Sequence, residues 1–233
     1  MEAWLKVDPS RILEIQVVKK GGTARENTAY ELARRCGVAV KHVDLSVARG
    51  DSEFVEAGWR ARVTPFPYRS LSDLFRRFGP SLLVVLDHVQ DPRNLGAVAR
   101  SAAAAGVTGL IIPKDRAASV TPVVEATAAG ACAYLQVARV VNLRRALLEI
   151  RQAGYWIVGL DVHCANSIFK TMLPDRLALV VGGEQGLSRL VRENVDELVV
   201  IPTDPRVESL NVSVATSIAC FWWFKDRVGA LTG

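Results

Sequence analysis

Three short stretches of the chain concentrate the side chains and glycines that could do chemistry. The first is DHVQDPRNLGAVAR, residues 87–100. Asn94 can begin a helix there, and Gly96 lets another backbone or a ligand come close. Arg100 sits in an otherwise small and apolar stretch, AVARSAAAAG. A long cation in such a place reaches a ligand, carries its head to the surface, or pairs with a carboxylate. The second stretch is VGGEQGLS, residues 181–188. Its glycine pair allows a tight turn with accessible backbone groups, and Ser188 can cap a following helix. An ordinary strand-to-helix turn would use the same residues. The third is RVESLNVSVATSIACFWWF, residues 206–224, in which Ser209, Asn211 and Ser213 alternate with Leu210, Val212 and Val214 before an apolar helix. Those polar groups either satisfy the free N–H groups of the helix or hold something else.

Loops of this kind need strands to hold them. From Ser81 onward apolar runs recur at 81–86, 109–113, 135–140, 155–160, 177–181 and 198–202, with helical patterns at 94–105, 121–129, 143–153 and 188–195. Short runs buried on both faces and alternating with helices predict an α/β fold with a parallel sheet covered on both sides. Ligands of such sheets bind beyond the carboxyl ends of the strands, where all three stretches fall. Residues 1–68 read as a separate small α/β unit. It has a capping-box form at Thr23–Glu26, a helix to about Cys36, a stop at Gly37, and strands at 38–45 and 59–63. TPFPY (64–68) holds two prolines and reads as a linker; an amphipathic piece at 71–78 leads to Gly79-Pro80. The expected units are therefore 1–68, a connecting segment 69–80, and 81–233.

Composition narrows the function. Of the 233 residues half are apolar and 23% charged, which is globular material. No apolar run is long enough to span a bilayer, and the N-terminus does not read as a signal peptide. Cys36, Cys132, Cys164 and Cys220 lie far apart without a CxxC pair, and His42, His88 and His163 are scattered. Reduced thiols in a cytoplasmic protein, with no metal and no membrane partner, are the expectation. The net charge of +5 is concentrated in residues 1–78, which hold 14 Lys/Arg against 10 Asp/Glu, so a polyanion could be gripped there. There is no GxGxxG after the run at 82–86 and no GxxxxGK[ST] anywhere. That counts against a dinucleotide oxidoreductase, a P-loop enzyme and an ordinary open-sheet methyltransferase.

Taken together and in order, NLGAVAR, VVGGEQGLS and IPTDPRVESLNVSVATSIA resemble the three signature motifs of the SpoU family of RNA ribose 2′-O-methyltransferases. The likeness spans residues 81–226. RILEIQVVKK and the stretch to about Val63 resemble the ribosomal-protein-like recognition domain of the family's rRNA enzymes, with the bacterial guanosine type most similar. The resemblance implies a C-terminal deep trefoil knot, a homodimer formed through the knot domain, and RNA as partner, rRNA foremost. It implies S-adenosylmethionine as cofactor, held by Gly182, Ile201 and Leu210 through backbone groups and an apolar adenine slot. It places Asn94, Arg100, Glu184, Ser209 and Asn211 at catalytic positions. Since a guanidinium keeps its proton in neutral water, Arg100 suits orienting a phosphate and stabilising an alkoxide. Asn94 and Ser209 would hold the ribose or Arg100, and Glu184 would fix the loops and help place Arg100.

Two departures go with this likeness. A single residue, Gln185, separates Glu184 from Gly186 where the family has two, which predicts a shorter loop beyond Glu184. The family's front domain opens with a strand and a His-containing turn that have no counterpart at Met1, so the front unit is expected to be trimmed or incomplete. Three other readings share the architecture: a tRNA ribose methyltransferase, a non-catalytic RNA-binding or ribosome-assembly protein, and a resistance methyltransferase acting on adenosine. His88 adjoins the first loop but is not expected to touch substrate. Trp222 and Trp223 either stack on bases or fill a core or dimer interface.

Overall fold

The computed structural model describes residues 1–18, 24–43, 53–56 and 59–229. Elements in chain order are α1 (Glu2–Val7), β1 (Ile12–Val18), α2 (Ala24–Arg35), β2 (Val40–Val43), β3 (Glu53–Glu56) and β4 (Trp59–Val63). There follow β5 (Ser81–Asp87), α3 (Pro92–Ala104), β6 (Gly109–Pro113), α4 (Pro122–Thr127), β7 (Val137–Val140) and α5 (Leu143–Gln152). The last are β8 (Trp156–Leu160), β9 (Arg176–Gly182), α6 (Arg189–Arg192), β10 (Glu197–Val199) and α7 (Val212–Phe224).

β5 to β10 form one sheet in the order β10-β8-β9-β5-β6-β7, with every neighbouring pair parallel. Every residue of β5 and of β6 is buried. Because side chains alternate along a strand, β5 serves two cores at once. Leu82, Val84 and Leu86 join Leu95, Val98 and Ala102 of α3 and Cys220 and Trp223 of α7 on one face. Leu83 and Val85 join Leu143, Leu147 and Ile150 of α5 on the other. The chain leaves β5 for β6 on one side and returns to β9 on the other, so the carboxyl ends of β5 and β9 flank the point where strand order reverses. That crevice is where sheets of this class seat ligands.

The expected runs appear as strands with trimmed ends. The run at 135–140 begins pairing only at Val137, and that at 198–202 ends at Val199, after which Val200 makes an isolated bridge to Ser167. The helix expected at 188–195 is corrected to the single turn Arg189–Arg192: Asn194 folds its side-chain amide onto the Leu190 carbonyl at 2.8 Å and ends it. The amphipathic piece at 71–78 yields one 3-10 turn, Leu71–Leu74, closed by a Ser70–Asp73 capping box. Leu74 sits so close beneath β6 that a Cβ on Gly109 would come within 2.4 Å of it.

The front of the chain forms a four-stranded sheet, β2-β1-β4-β3, in which β1 is parallel to β2 and antiparallel to β4. The strands β1 and β3 and the helix α1 go beyond the elements read from sequence pattern. Thr23 of the expected capping box lies outside the described residues, while Gly37 turns the chain after α2 with φ +71°, as its position predicts. Trp4, Leu5, Ile12 and Ile15 share one apolar cluster with Val124, Ala128 and Cys132 around α4, so the front sheet and the large sheet are packed on a common core. At that seam Arg11 and Glu125, 3% and 2% exposed, form a bidentate ion pair whose second bond, Nη2 to Oε2, measures 2.9 Å. Trp4 donates its indole N–H to Glu125 at 2.8 Å, and the Arg11 guanidinium lies 4.1 Å from the Trp4 ring centre. No described helix is long and apolar enough to cross a membrane.

Breaking a buried pair strands the remaining charge, which costs about 3–5 kcal/mol. Glu125→Gln should therefore lower the unfolding free energy from urea titration by an amount in that range. A loss below about 1 kcal/mol would mean that water reaches Arg11 and that the seam does not depend on the pair.

Candidate active site

The site begins with one carboxylate. Asp87 ends β5 and is fully buried, so its charge must be met from within. Its Oδ2 accepts the Ser188 N–H at 2.7 Å, its backbone carbonyl accepts the Gly183 N–H at 2.8 Å, and its Oδ1 is bonded to Nδ1 of His88. The loops after β5 and β9 are thereby joined across the crevice. Glycine is required on the β9 side. A Cβ on Gly182 would fall 2.1 Å from the Gly186 carbonyl carbon, and one on Gly183 would fall 2.5 Å from the His88 carbonyl oxygen. Gly186 closes the turn with φ +71° and a 2.9 Å bond to the Gly183 carbonyl. His88 itself takes φ +57°, a region that side-chain-bearing residues seldom enter.

α3 and α7 bring in the other two stretches. The expectation that Asn94 begins the helix is corrected: Asp91 is the cap, its side chain accepting the Arg93 N–H at 2.7 Å, with Pro92 in the first turn. Proline has no N–H to satisfy there, which suits the position. Asn94 thus lies one turn in, where its Oδ1 accepts the Nδ2–H of Asn211 at 3.1 Å. Asn211 caps α7, accepting the Ser213 N–H at 2.9 Å and the Ser213 hydroxyl at 2.7 Å. Deeper in the crossing, the hydroxyls of Ser217 and Ser101 are hydrogen-bonded at 2.7 Å. Gly96 is needed for packing: a Cβ there would lie 2.8 Å from the Val124 carbonyl, so it is α4 that comes close.

A cleft of about 280 Å³ opens over these parts, lined by His88, Asn94, Gly183, Glu184, Ser188 and Val212 among others. Asn94, Asn211, Glu184 and the Gly182 turn are thus gathered in one place. Arg100 projects from α3 as an exposed side chain, without a hydrogen bond or ion pair among the described residues, so neither Glu184 nor Asn94 is bonded to it. Ser209 is exposed on the segment before α7, while Ile201 and Leu210 at the two ends of that segment are half-buried. Ser188 lines the cleft while its N–H is given to the buried Asp87; its side chain makes no cap hydrogen bond to α6. The cleft residues outside the predicted set include His88 and Asp91, and the Asp-Pro pair at 91–92 is the signal that could have found the latter. Trp223 is fully buried and donates to the Pro174 carbonyl at 2.8 Å; Trp222 packs edge-on to Phe169. Cys132 and Cys220 are buried thiols pushed up to about 12 by loss of solvent. Among the described residues no group of three or more His, Cys, Asp or Glu is gathered as for a metal.

Comparison with known proteins identifies the family. The model of the SpoU rRNA Methylase family matches residues 81–221. The 23S rRNA (guanosine-2′-O-)-methyltransferase RlmB of Xylella fastidiosa is 42% identical over 226 residues, covering 94% of this chain and 91% of the relative. The protein of that name from Pasteurella multocida is 37% identical over 234 residues, covering 98% and 96%. The crystal structure of the SpoU methyltransferase AviRb from Streptomyces viridochromogenes matches with a TM-score of 0.81 over 98% of this chain and 88% of its own, at 24% identity, which is a likeness of fold. The matched region contains the three loops that build the cleft, and the curated likeness runs nearly the whole length: the chain belongs to the SpoU rRNA methylase family.

Proposed function

We propose that this chain transfers a methyl group from S-adenosylmethionine to a ribose 2′-hydroxyl of RNA, and that the target is a guanosine of large-subunit rRNA. The observation that carries the reading is the bond between Asn94 and Asn211, which joins two of the motif stretches beside the Gly182 loop. The guanosine and the rRNA come from the names of relatives that cover both the front and the large sheet.

The residues at the β9 end fit the cofactor. Glycine-only backbone at 182–183 leaves no side chain between the loops, and half-buried Ile201 and Leu210 offer apolar contact. Gly182, Ile201 and Leu210 would hold it. S-adenosylmethionine, when bound, supplies a methyl group on a sulfonium that needs no activation. The protein is left to align the hydroxyl and to stabilise the oxygen as it loses its proton. Arg100, a partnerless and exposed cation, suits the RNA phosphate and the developing alkoxide. Asn94 and Asn211, already fixed to each other, suit the ribose, with the exposed Ser209 and Glu184 available to meet it from the other two loops.

The same reading assigns residues 81–233 to a knotted methyltransferase unit, 69–80 to a connector, and 1–68 to a ribosomal-protein-like RNA-recognition unit. The separate hydrogen-bonding of the two sheets supports the division. Val214 and Phe221 are 46% and 45% exposed and lie seven residues apart on one side of α7, which supports a homodimer packed on that helix. A cytoplasmic location follows from the substrate.

Two experiments test the reaction. Label from tritiated S-adenosylmethionine should enter 23S rRNA, block alkaline cleavage at one position, and fall at least about a hundredfold in rate with Arg100→Ala. Label entering bulk tRNA instead would replace the substrate, and failure to bind the cofactor would remove the reading. Asn211→Asp separates structure from chemistry, because aspartate keeps the cap but lacks the amide donor to Asn94. Stability should change by less than about 0.5 kcal/mol while transfer falls about tenfold or more. Wild-type transfer in this variant would show that the Asn94 bond is dispensable.

A further inference from the structure

We propose that Arg69, Lys114, Arg116 and Arg139 form a phosphate-binding shoulder beside the cleft, which grips the RNA strand flanking the nucleotide to be methylated. The inference rests on the reading of the cleft as an RNA site, and extends it to residues outside the three motif stretches.

The shoulder is built into the same end of the sheet as the cleft. β6 is the neighbour of β5, and adjacent strands lie about 4.8 Å apart, so the loop after β6 emerges beside the loop after β5. The two are bonded: the Ala118 N–H donates to the carbonyl of Val89, a cleft-lining residue, at 2.8 Å. Lys114 and Arg116 stand on this loop. Arg139, on β7, donates from Nη2 to the Lys114 carbonyl at 3.1 Å and lies 5.1 Å from the ring centre of Tyr68. The Tyr68 hydroxyl accepts the Val120 N–H at 2.8 Å, and the Arg69 N–H donates to the Val137 carbonyl at 2.9 Å. A single hydrogen-bonded framework therefore runs from the connector to the cleft, and all four cations stand on it.

No ion pair among the described residues neutralises any of the four, and all four side chains are exposed. The carboxylates nearby are few. Asp115 is exposed on the same loop. Asp73 is held below its usual range by hydrogen bonds from Ser70 and, more weakly, by the charge of Arg69. Glu125 is committed to Arg11. Arg116 also occupies φ +54°, a region that favours glycine, so the loop carries this cation on strained backbone. Uncompensated guanidinium and ammonium groups beside a site for RNA match a polyanionic strand, and each phosphate they hold releases counterions.

The test compares two double variants of the full chain on protein-free large-subunit rRNA across a salt series. Lys114→Ala with Arg116→Gly removes two shoulder charges and relieves the strained backbone. Arg76→Ala with Arg77→Ala removes two charges at the opposite, amino-terminal end of the sheet. The shoulder variant should raise the Kd for RNA about tenfold and flatten the slope of log K against log salt by about 1.4, while leaving S-adenosylmethionine affinity unchanged. The opposite-end variant should change Kd by less than about twofold. Wild-type affinity and slope in the shoulder variant, or an equal loss in both variants, would overturn the proposal. If wild-type protein labels no RNA yet the shoulder variant alone loses affinity, the shoulder stands and the assigned reaction fails.

Discussion

Everything at the active end of this protein is organised around the buried charge of Asp87. A carboxylate with no exposure is unstable unless every oxygen finds a donor, and the donors here come from two different loops. Ser188 lies 101 residues further along the chain, yet its N–H is as necessary to Asp87 as the adjacent imidazole. The requirement explains the neighbouring oddities. His88 enters the left-handed region with its ring turned back on its neighbour, and Gly182 and Gly183 are stripped of side chains so that the second loop can come within reach. A cleft built this way holds its shape without ligand, because opening it would expose or orphan the carboxylate.

The crossing of α3 and α7 applies the same logic with neutral groups. α7 is apolar on all sides, so the polar atoms it carries must be satisfied locally or against α3. Thr216 returns its hydroxyl to the Val212 carbonyl at 2.7 Å, and Ser217 serves both the Ser213 carbonyl at 2.6 Å and Ser101 at 2.7 Å. Small side chains let the helices approach, and the hydrogen bonds fix their register. Trp223 fixes the far end by its bond to Pro174. Asn211 is then delivered to Asn94 as a consequence of helix packing. The alternation of small polar residues at this junction divides the work: Asn211 and Ser213 cap and connect, while Ser209 is left exposed toward the open side.

How much of this could be read from the residues depended on the range of the interaction. β5, β6 and β9 were legible because burial on both faces writes itself as an unbroken apolar run. β1 was harder: it has a bulge between Ile12 and Glu14, and Leu13 is 48% exposed while Ile12 is buried, so no clean period marks it. The start of α3 was misplaced by three residues although Asp91-Pro92 carried the information, since an asparagine further on offered an equally good cap by type. The Arg11–Glu125 pair spans 114 residues and leaves no local trace. The meeting of Asn94 with Asn211 was reachable only through the family motifs, because residue spacing cannot predict which helix crosses which.

The polar groups of the site sort themselves by whether the protein already satisfies them. Asp87, Asn94, Asn211 and Ser217 are bonded inside the molecule and act as framework. Arg100, Glu184 and Ser209 have no hydrogen-bond or ion-pair partner among the described residues and face solvent. For Arg100 the difference is physical. Its neighbours along α3 carry no carboxylate, and no ion pair among the described residues includes it. With its charge unneutralised, Arg100 can meet a phosphate or an alkoxide without first breaking an internal pair. That saves the cost of about 1–3 kcal/mol of removing a charged hydrogen bond before substrate can take its place.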